Sequence, residues 1–132
     1  MTEYEPRSRR FGADCFHCHG GALFTDNQFH NNGLKQADDL GRSEFSRQES
    51  DRYKFSTPSL RNVALTAPYM HDGSLGTIEE VIQHYSEGIH LSDTLDPNLA
   101  KHPREGIQLS KVDQQALISF LETLSDTAYM GN

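Results

Sequence analysis

The chain holds only two cysteines, and they stand three residues apart with a histidine directly after the second: Cys15-Phe16-His17-Cys18-His19. A Cys-x-x-Cys pair serves three chemistries: a redox dithiol, half of a zinc site, or a haem attachment, the last favoured when histidine follows at once. Two thiols on one helical turn can form thioethers to the two vinyl groups along one haem edge, and the next residue can then carry its imidazole under the iron. Cys15 and Cys18 are therefore the expected covalent anchors of one haem c, with His19 its proximal ligand. A structural zinc would need a second pair of soft ligands, and His30, His71, His84, His90 and His102 would have to supply it without recognisable spacing. A thioredoxin-like dithiol belongs beside a beta-alpha-beta pattern, and none is present. His17 falls on the opposite side of the turn and reads as a solvent-facing spacer.

A covalent cofactor matters because the polypeptide is poor in apolar residues. Of 132 residues, 35% are hydrophobic; counted with Gly in place of Tyr the share is roughly 39%, below the roughly 45–50% of ordinary globular domains. A charged fraction of 23% with a net charge of −7 does not describe a disordered chain. One folded domain spanning residues 1–132 is expected, with help for its core. The acidic balance disfavours nucleic acid as a partner, because phosphate binding needs surplus Lys and Arg, and Arg7, Arg9 and Arg10 are too few to supply it. No apolar run approaches the roughly 18 residues of a membrane span. The N-terminus MTEYEPRSRR lacks the apolar stretch of a signal peptide.

Three helical patterns stand among long irregular segments. The first runs from about Glu5 or Pro6 to His19, before Gly20 and Gly21 release the backbone. The second starts at Thr77 with Glu80 as a capping box, presents Ile78, Val81, Ile82 and Tyr85 on one face, and ends at Gly88. The third begins at Ser110, carries Asp113 in its first turn, and shows Leu117, Phe120, Leu121 and Leu124 as its stripe. From Gly20 to Pro58 the chain is rich in Asn, Asp, Gly and Ser, with isolated Leu23, Phe24, Phe29, Leu34, Phe45 and Phe55; so long a loop is functional or wraps something. Strand signal is slight. The loop with Pro97 and Pro103 reads as polar and exposed. The expected class is mainly α: three principal helices with long haem-wrapping loops, the haem motif at 15–19, a distal loop and helix at 66–88, and a C-terminal helix at 110–125.

Several phrases occur in a fixed order: the haem motif, then Gly21-Ala22-Leu23-Phe24-Thr25-Asp26 with Phe29-His30-Asn31, then Thr57-Pro58-Ser59-Leu60-Arg61-Asn62-Val63, then Thr66-Ala67-Pro68-Tyr69-Met70-His71-Asp72-Gly73-Ser74-Leu75. Together they resemble the C-terminal haem domain of bacterial di-haem cytochrome c peroxidases and of the related MauG-type enzymes, from about Phe11 to Leu124. The resemblance implies a cytochrome c-like fold, a periplasmic location, and an electron-transferring role between a small redox protein and a second haem domain where hydrogen peroxide is reduced. A single haem motif fits an excised domain or a single-haem relative. The resemblance also implies that the backbone carbonyls of Thr66 and Pro68 help hold a calcium between the two haem domains, a site that is incomplete without the other domain.

Three residues compete for the sixth iron position. Counting forward from His71, the place where the peroxidases carry methionine holds Tyr85, as MauG-type proteins do. Met70 and His71 are its rivals, since both lie in a turn-rich loop and Met is a common ligand in cytochromes. An open sixth site is the remaining alternative, and simple packing of Tyr85 on its helical stripe competes with ligation. A phenolate stabilises ferric iron and lowers the potential, whereas a thioether raises it. Arg61 can pair bidentately with a haem propionate or remain a surface arginine. His71 reads equally as part of a network near the haem and as a loop histidine. His30, His84, His90 and His102 read as surface or boundary residues. Two functions follow: an electron-transfer module, or a mono-haem peroxidase. No acid/base group over an empty iron position is identified, which favours the first.

Overall fold

The structure is a computed structural model that describes residues 12–35, 38–102 and 105–129. In chain order its elements are β1 (Phe29–His30), α1 (Ser43–Ser46), β2 (Phe55–Ser56), α2 (Ile78–Glu87), α3 (Pro97–Ala100) and α4 (Lys111–Thr123). Single 3-10 turns lie at Cys15–His17, Glu49–Asp51, Val63–Leu65 and Thr127–Tyr129.

The two longer helices form where their caps place them. Thr77 Oγ1 accepts the Glu80 N–H at 3.2 Å at the start of α2, and Ser110 Oγ accepts the Asp113 N–H at 3.1 Å at the start of α4, each satisfying a donor that the helix itself leaves unpaired. The Glu80 carboxylate reaches back to the Gly76 N–H at 2.7 Å, one residue beyond a standard capping box. Gly88 closes α2, its N–H donating to the His84 carbonyl. Ile78 and Ile82 of α2 meet Ile118 of α4, and Val63, Ala64, Tyr69, Leu109, Leu117 and Leu121 pack around them. The stripe expected on α4 is rotated: Ile118 is its buried member, while Phe120 stays 49% exposed and stands edge-on to Phe24.

Three expectations need correction. The first helix is absent where the chain is described. Gly12 to Asp14 are not helical, and Asp14 is left-handed at φ 54°, so only one 3-10 turn carries the cysteines; residues 1–11 lie outside the described residues. The long segment after Gly20 does hold strands. β1 and β2 pair antiparallel, with Phe29 opposite Ser56 and His30 opposite Phe55, and two-residue strands are too short to register as alternation. The loop between α2 and α4 is not simply exposed: it contains α3, capped by Asp96, and buries Ile89, Leu95, Asp96 and His102. Pro97 is exposed; Pro103 lies outside the described residues.

The core is thin, as the composition suggests. Among the described residues only Leu34, Ile78, Ile82, Ile89, Leu95 and Ile118 are buried hydrophobics, and the largest fully buried side chain is Asn31. Its amide donates to Ser92 and Thr94 hydroxyls and accepts the Gly33 N–H, stitching two loops where apolar contacts are few. No helix among the described residues is long and apolar enough to cross a membrane.

Residues 105–109 run against the end of α2, with Ile107 N–H on the Tyr85 carbonyl and Gln108 N–H on that of Ser86, both at 2.9 Å. Gly106 lies beside them at φ 153°, and a Cβ there would clash with the Ser86 carbonyl oxygen. Gly106→Ala is expected to cost about 2–5 kcal/mol, from a glycine-only backbone and a forced contact with main chain. A urea unfolding midpoint equal to that of the parent would refute this.

Candidate functional site

The Cys15–His17 turn presents the haem motif. His19 N–H bonds to the Cys15 carbonyl at 2.8 Å and Cys18 N–H to the same oxygen at 3.3 Å, so both thiols and the imidazole leave one tight turn. Asp14 anchors that turn from outside: its carboxylate lies 2.7 Å from Lys101 Nζ, and the lysine hydrogen bond holds its pKa below the ordinary value. Cys15 and Cys18 are free thiols. Burial, with the charges of Asp96 and Asp26, pushes the Cys18 thiol up to about 11. Redox dithiols of the Cys-x-x-Cys type work through lowered thiol pKa values, and the environment of Cys18 acts in the opposite direction.

His19 donates from Nδ1 to the Phe24 carbonyl at 3.0 Å. Burial pulls its pKa down, so the ring is neutral and its Nε2 lone pair is available to a metal. The turn that carries Phe24 is braced by Arg61, whose Nε and Nη2 donate to the Ala22 carbonyl at 3.1 and 2.6 Å. Leu23 is 58% exposed on the same turn, and Phe16 is 67% exposed between the cysteines.

The other wall of the site comes from α2 and the loop before it. Burial raises the Tyr85 phenol to about 12; the Asn32 hydrogen bond opposes this, while charge on Cys15 or Cys18 adds to it. The phenol thus lies within electrostatic reach of both cysteines. Asn32 Nδ2 sits 3.3 Å from the Tyr85 hydroxyl and 3.4 Å from Met70 Sδ, so two of the three expected candidates for the sixth position share one neighbour. The third is engaged elsewhere: the His71 ring stacks on Phe55 at 3.6 Å, 9° from parallel, and its Nε2 is 3.9 Å from Asp39. Phe45, expected among the loop's apolar lining, is 88% exposed on α1, and Leu34 is buried.

The residues fit a covalently held haem better than zinc. The described residues that converge with metal-ligand spacing are Cys18, Asp26 and His30, a set that leaves out Cys15. Both nitrogens of His30 in that set are already taken, Nδ1 by Asp96 at 2.6 Å and Nε2 by Asp26 at 2.7 Å.

Residue-type reasoning passed over this Asp26–His30–Asp96 chain; a histidine four residues after an aspartate was its one visible signal. His84 and His102, expected at the surface or boundary, are buried, whereas His90 is exposed. For His30, burial alone lowers the pKa, but the hydrogen bonds and charges of Asp26 and Asp96 outweigh it, and the net shift is upward from 6.5. A raised folded-state pKa stabilises fully below the unfolded value and is lost as pH climbs through the folded one. Urea midpoints should therefore fall as pH rises above about 6.5, the ordinary imidazole value, and His30→Gln should flatten that part of the profile. An unchanged slope in the variant would place the titration elsewhere.

No family model matches the chain. It is 40% identical over 114 residues to the methylamine utilization protein MauG of Methylorubrum extorquens, a match that covers 85% of this chain and 31% of that protein. It is 32% identical over 140 residues to the cytochrome-c peroxidase IdrP2 of Denitromonas iodatirespirans, covering 84% of this chain and 36% of the relative. The chain thus spans about a third of the length of these relatives. Among solved structures, a MauG-like protein associated with microbial copper homeostasis superposes with a TM-score of 0.72 at 36% identity, over 91% of this chain and 45% of that one. The diheme peroxidase BthA of Burkholderia thailandensis gives 0.74 at 20% identity, over 91% and 40%, a likeness of fold.

Proposed function

Since the chain belongs to the family of MauG and the di-haem cytochrome c peroxidases, as a haem domain of that family, we propose that it holds one haem c and serves as an electron-transfer module. When bound, the haem supplies a one-electron ferric/ferrous couple. Cys15 and Cys18 anchor it covalently, and His19, its Nδ1 fixed by the Phe24 carbonyl, offers Nε2 as the proximal ligand. Tyr85 is the distal ligand, with Met70 next in order. Arg61 pairs with a propionate through donors that Ala22 does not take. A calcium at the carbonyls of Thr66 and Pro68 would need ligands from another domain. Phe16 and Leu23, exposed beside the cysteines, are the apolar rim against which a small redox protein or a second haem domain packs. The periplasm is the compartment in this reading.

One observation carries the choice of electron transfer over peroxide chemistry. Tyr85 is hydrogen-bonded by the amide of Asn32, which also reaches the Met70 thioether, and neither group moves a proton as a peroxidatic acid/base group must, while the His84 ring edge-on to Tyr85 has its Nε2 held by the Asn32 carbonyl. The domain, produced with haem-attachment machinery, is expected to show a low-spin six-coordinate ferric spectrum, to be reduced reversibly by one electron, and not to consume hydrogen peroxide. Catalytic peroxide consumption by the isolated domain would favour the mono-haem peroxidase instead. A colourless product would reject both readings.

A further inference from the structure

We propose that Asn32 is the positioning residue that presents Tyr85, rather than Met70, to the haem iron; the inference rests on Tyr85 being the distal ligand. A single amide nitrogen, Asn32 Nδ2, lies 3.3 Å from the Tyr85 hydroxyl oxygen and 3.4 Å from the Met70 sulfur. A primary amide has two N–H donors, one for each neighbour.

The direction of that amide is set by its other contacts. Asn32 Oδ1 accepts the Leu34 N–H at 3.3 Å, which leaves Nδ2 on the side of Tyr85 and Met70. The backbone carbonyl of Asn32 accepts Nε2–H of the buried His84 at 2.9 Å. Because His84 and Tyr85 are neighbours on α2, the amide is tied to the helix that carries the phenol. Met70 arrives from a separate loop, bridged between Tyr69 and Leu75, and sits at φ 71°. A methionine holds that left-handed backbone only when its surroundings impose it.

The two hydrogen bonds have opposite effects on two potential ligands. An N–H donated to the phenol oxygen supports the negative charge that a tyrosine ligand carries. An N–H donated to the thioether engages the sulfur lone pair that a methionine ligand would give to iron. The same group therefore favours one ligand and restrains the other.

The test uses the haem-loaded domain and reads ferric absorption and resonance Raman spectra. Asn32→Asp keeps an oxygen for the Leu34 N–H and the shape of the side chain, but puts an acceptor where the donor stood. Phenolate-to-iron bands are expected in the parent and lost in Asn32→Asp and Asn32→Leu, with a sulfur-to-iron charge-transfer band in their place. Adding Met70→Leu to Asn32→Asp should remove that sulfur band. If the parent shows phenolate bands and Asn32→Asp keeps them, the selecting role is overturned while the Tyr85 reading stands. A parent without phenolate bands overturns the Tyr85 reading, and this inference with it. Failure of Asn32→Asp to retain attached haem would mean that Asn32 serves folding, which also overturns the selecting role.

Discussion

Replacing both Cys15 and Cys18 by alanine leaves a chain that retains no haem after denaturing extraction and that melts without a cooperative transition. The first half follows from chemistry, since no other cysteine exists to form a thioether. The second half follows from the core. Six buried hydrophobic residues among those described, with polar side chains such as Asn31 knitting the loops, are little to set against the ordering of so many irregular segments. The turns that carry Leu23, Phe24 and Phe16 hold exposed apolar surface near the cysteines, where an attached porphyrin would cover it. Net stability in proteins of this size is a small difference between large terms, so losing one large apolar partner is enough to unfold the chain. Far-UV circular dichroism during a thermal melt reads the outcome. A native-like double variant with a sharp transition would show that the polypeptide core suffices, and the coupling of folding to attachment would be wrong.

Tyr85→Phe is expected to change the ferric spectrum and to raise the reduction potential, on the order of 0.1 V within the roughly 0.8 V that axial ligands span. The substitution removes one oxygen and keeps the ring edge-on to His84, apart from the Ile78, Ile82 and Ile118 core, so the fold survives. The lost hydrogen bond from Asn32 costs about 1 kcal/mol. The potential rises because phenolate stabilises ferric iron more than ferrous. Potentiometric titration of parent and variant measures the shift. An identical ferric spectrum would move the sixth position to Met70, whose sulfur shares the same amide.

The parts of the protein legible in the sequence are those governed by neighbours in the chain. The Thr77 and Ser110 caps are short-range features and stand in the structure where residue type put them, and of the face expected on α2 Ile78 and Ile82 are buried while Val81 and Tyr85 are half-buried. Apolar and cysteine spacing suggests a regular helix up to His19, but in the described part Asp14 is left-handed and its carboxylate meets Lys101, far along the chain. The α4 stripe slipped because several faces of that helix are apolar, and only packing against α2 and the Val63–Leu65 turn selects Ile118.

What only the tertiary structure decided are pairings between distant positions. His30 meets Asp96 across 66 residues, and Asn32 meets Tyr85 across 53. No spacing rule links such residues, because loops of arbitrary length bring them together and the backbone between them leaves no periodic trace. The sequence by itself carried the proposal that a haem is held through Cys15, Cys18 and His19, since thioether attachment and proximal ligation need those residue types within one turn. Which side chain faces them depends on how α2 and two loops fold around a thin core, and there the side-chain amide of Asn32 stands between Tyr85 and Met70.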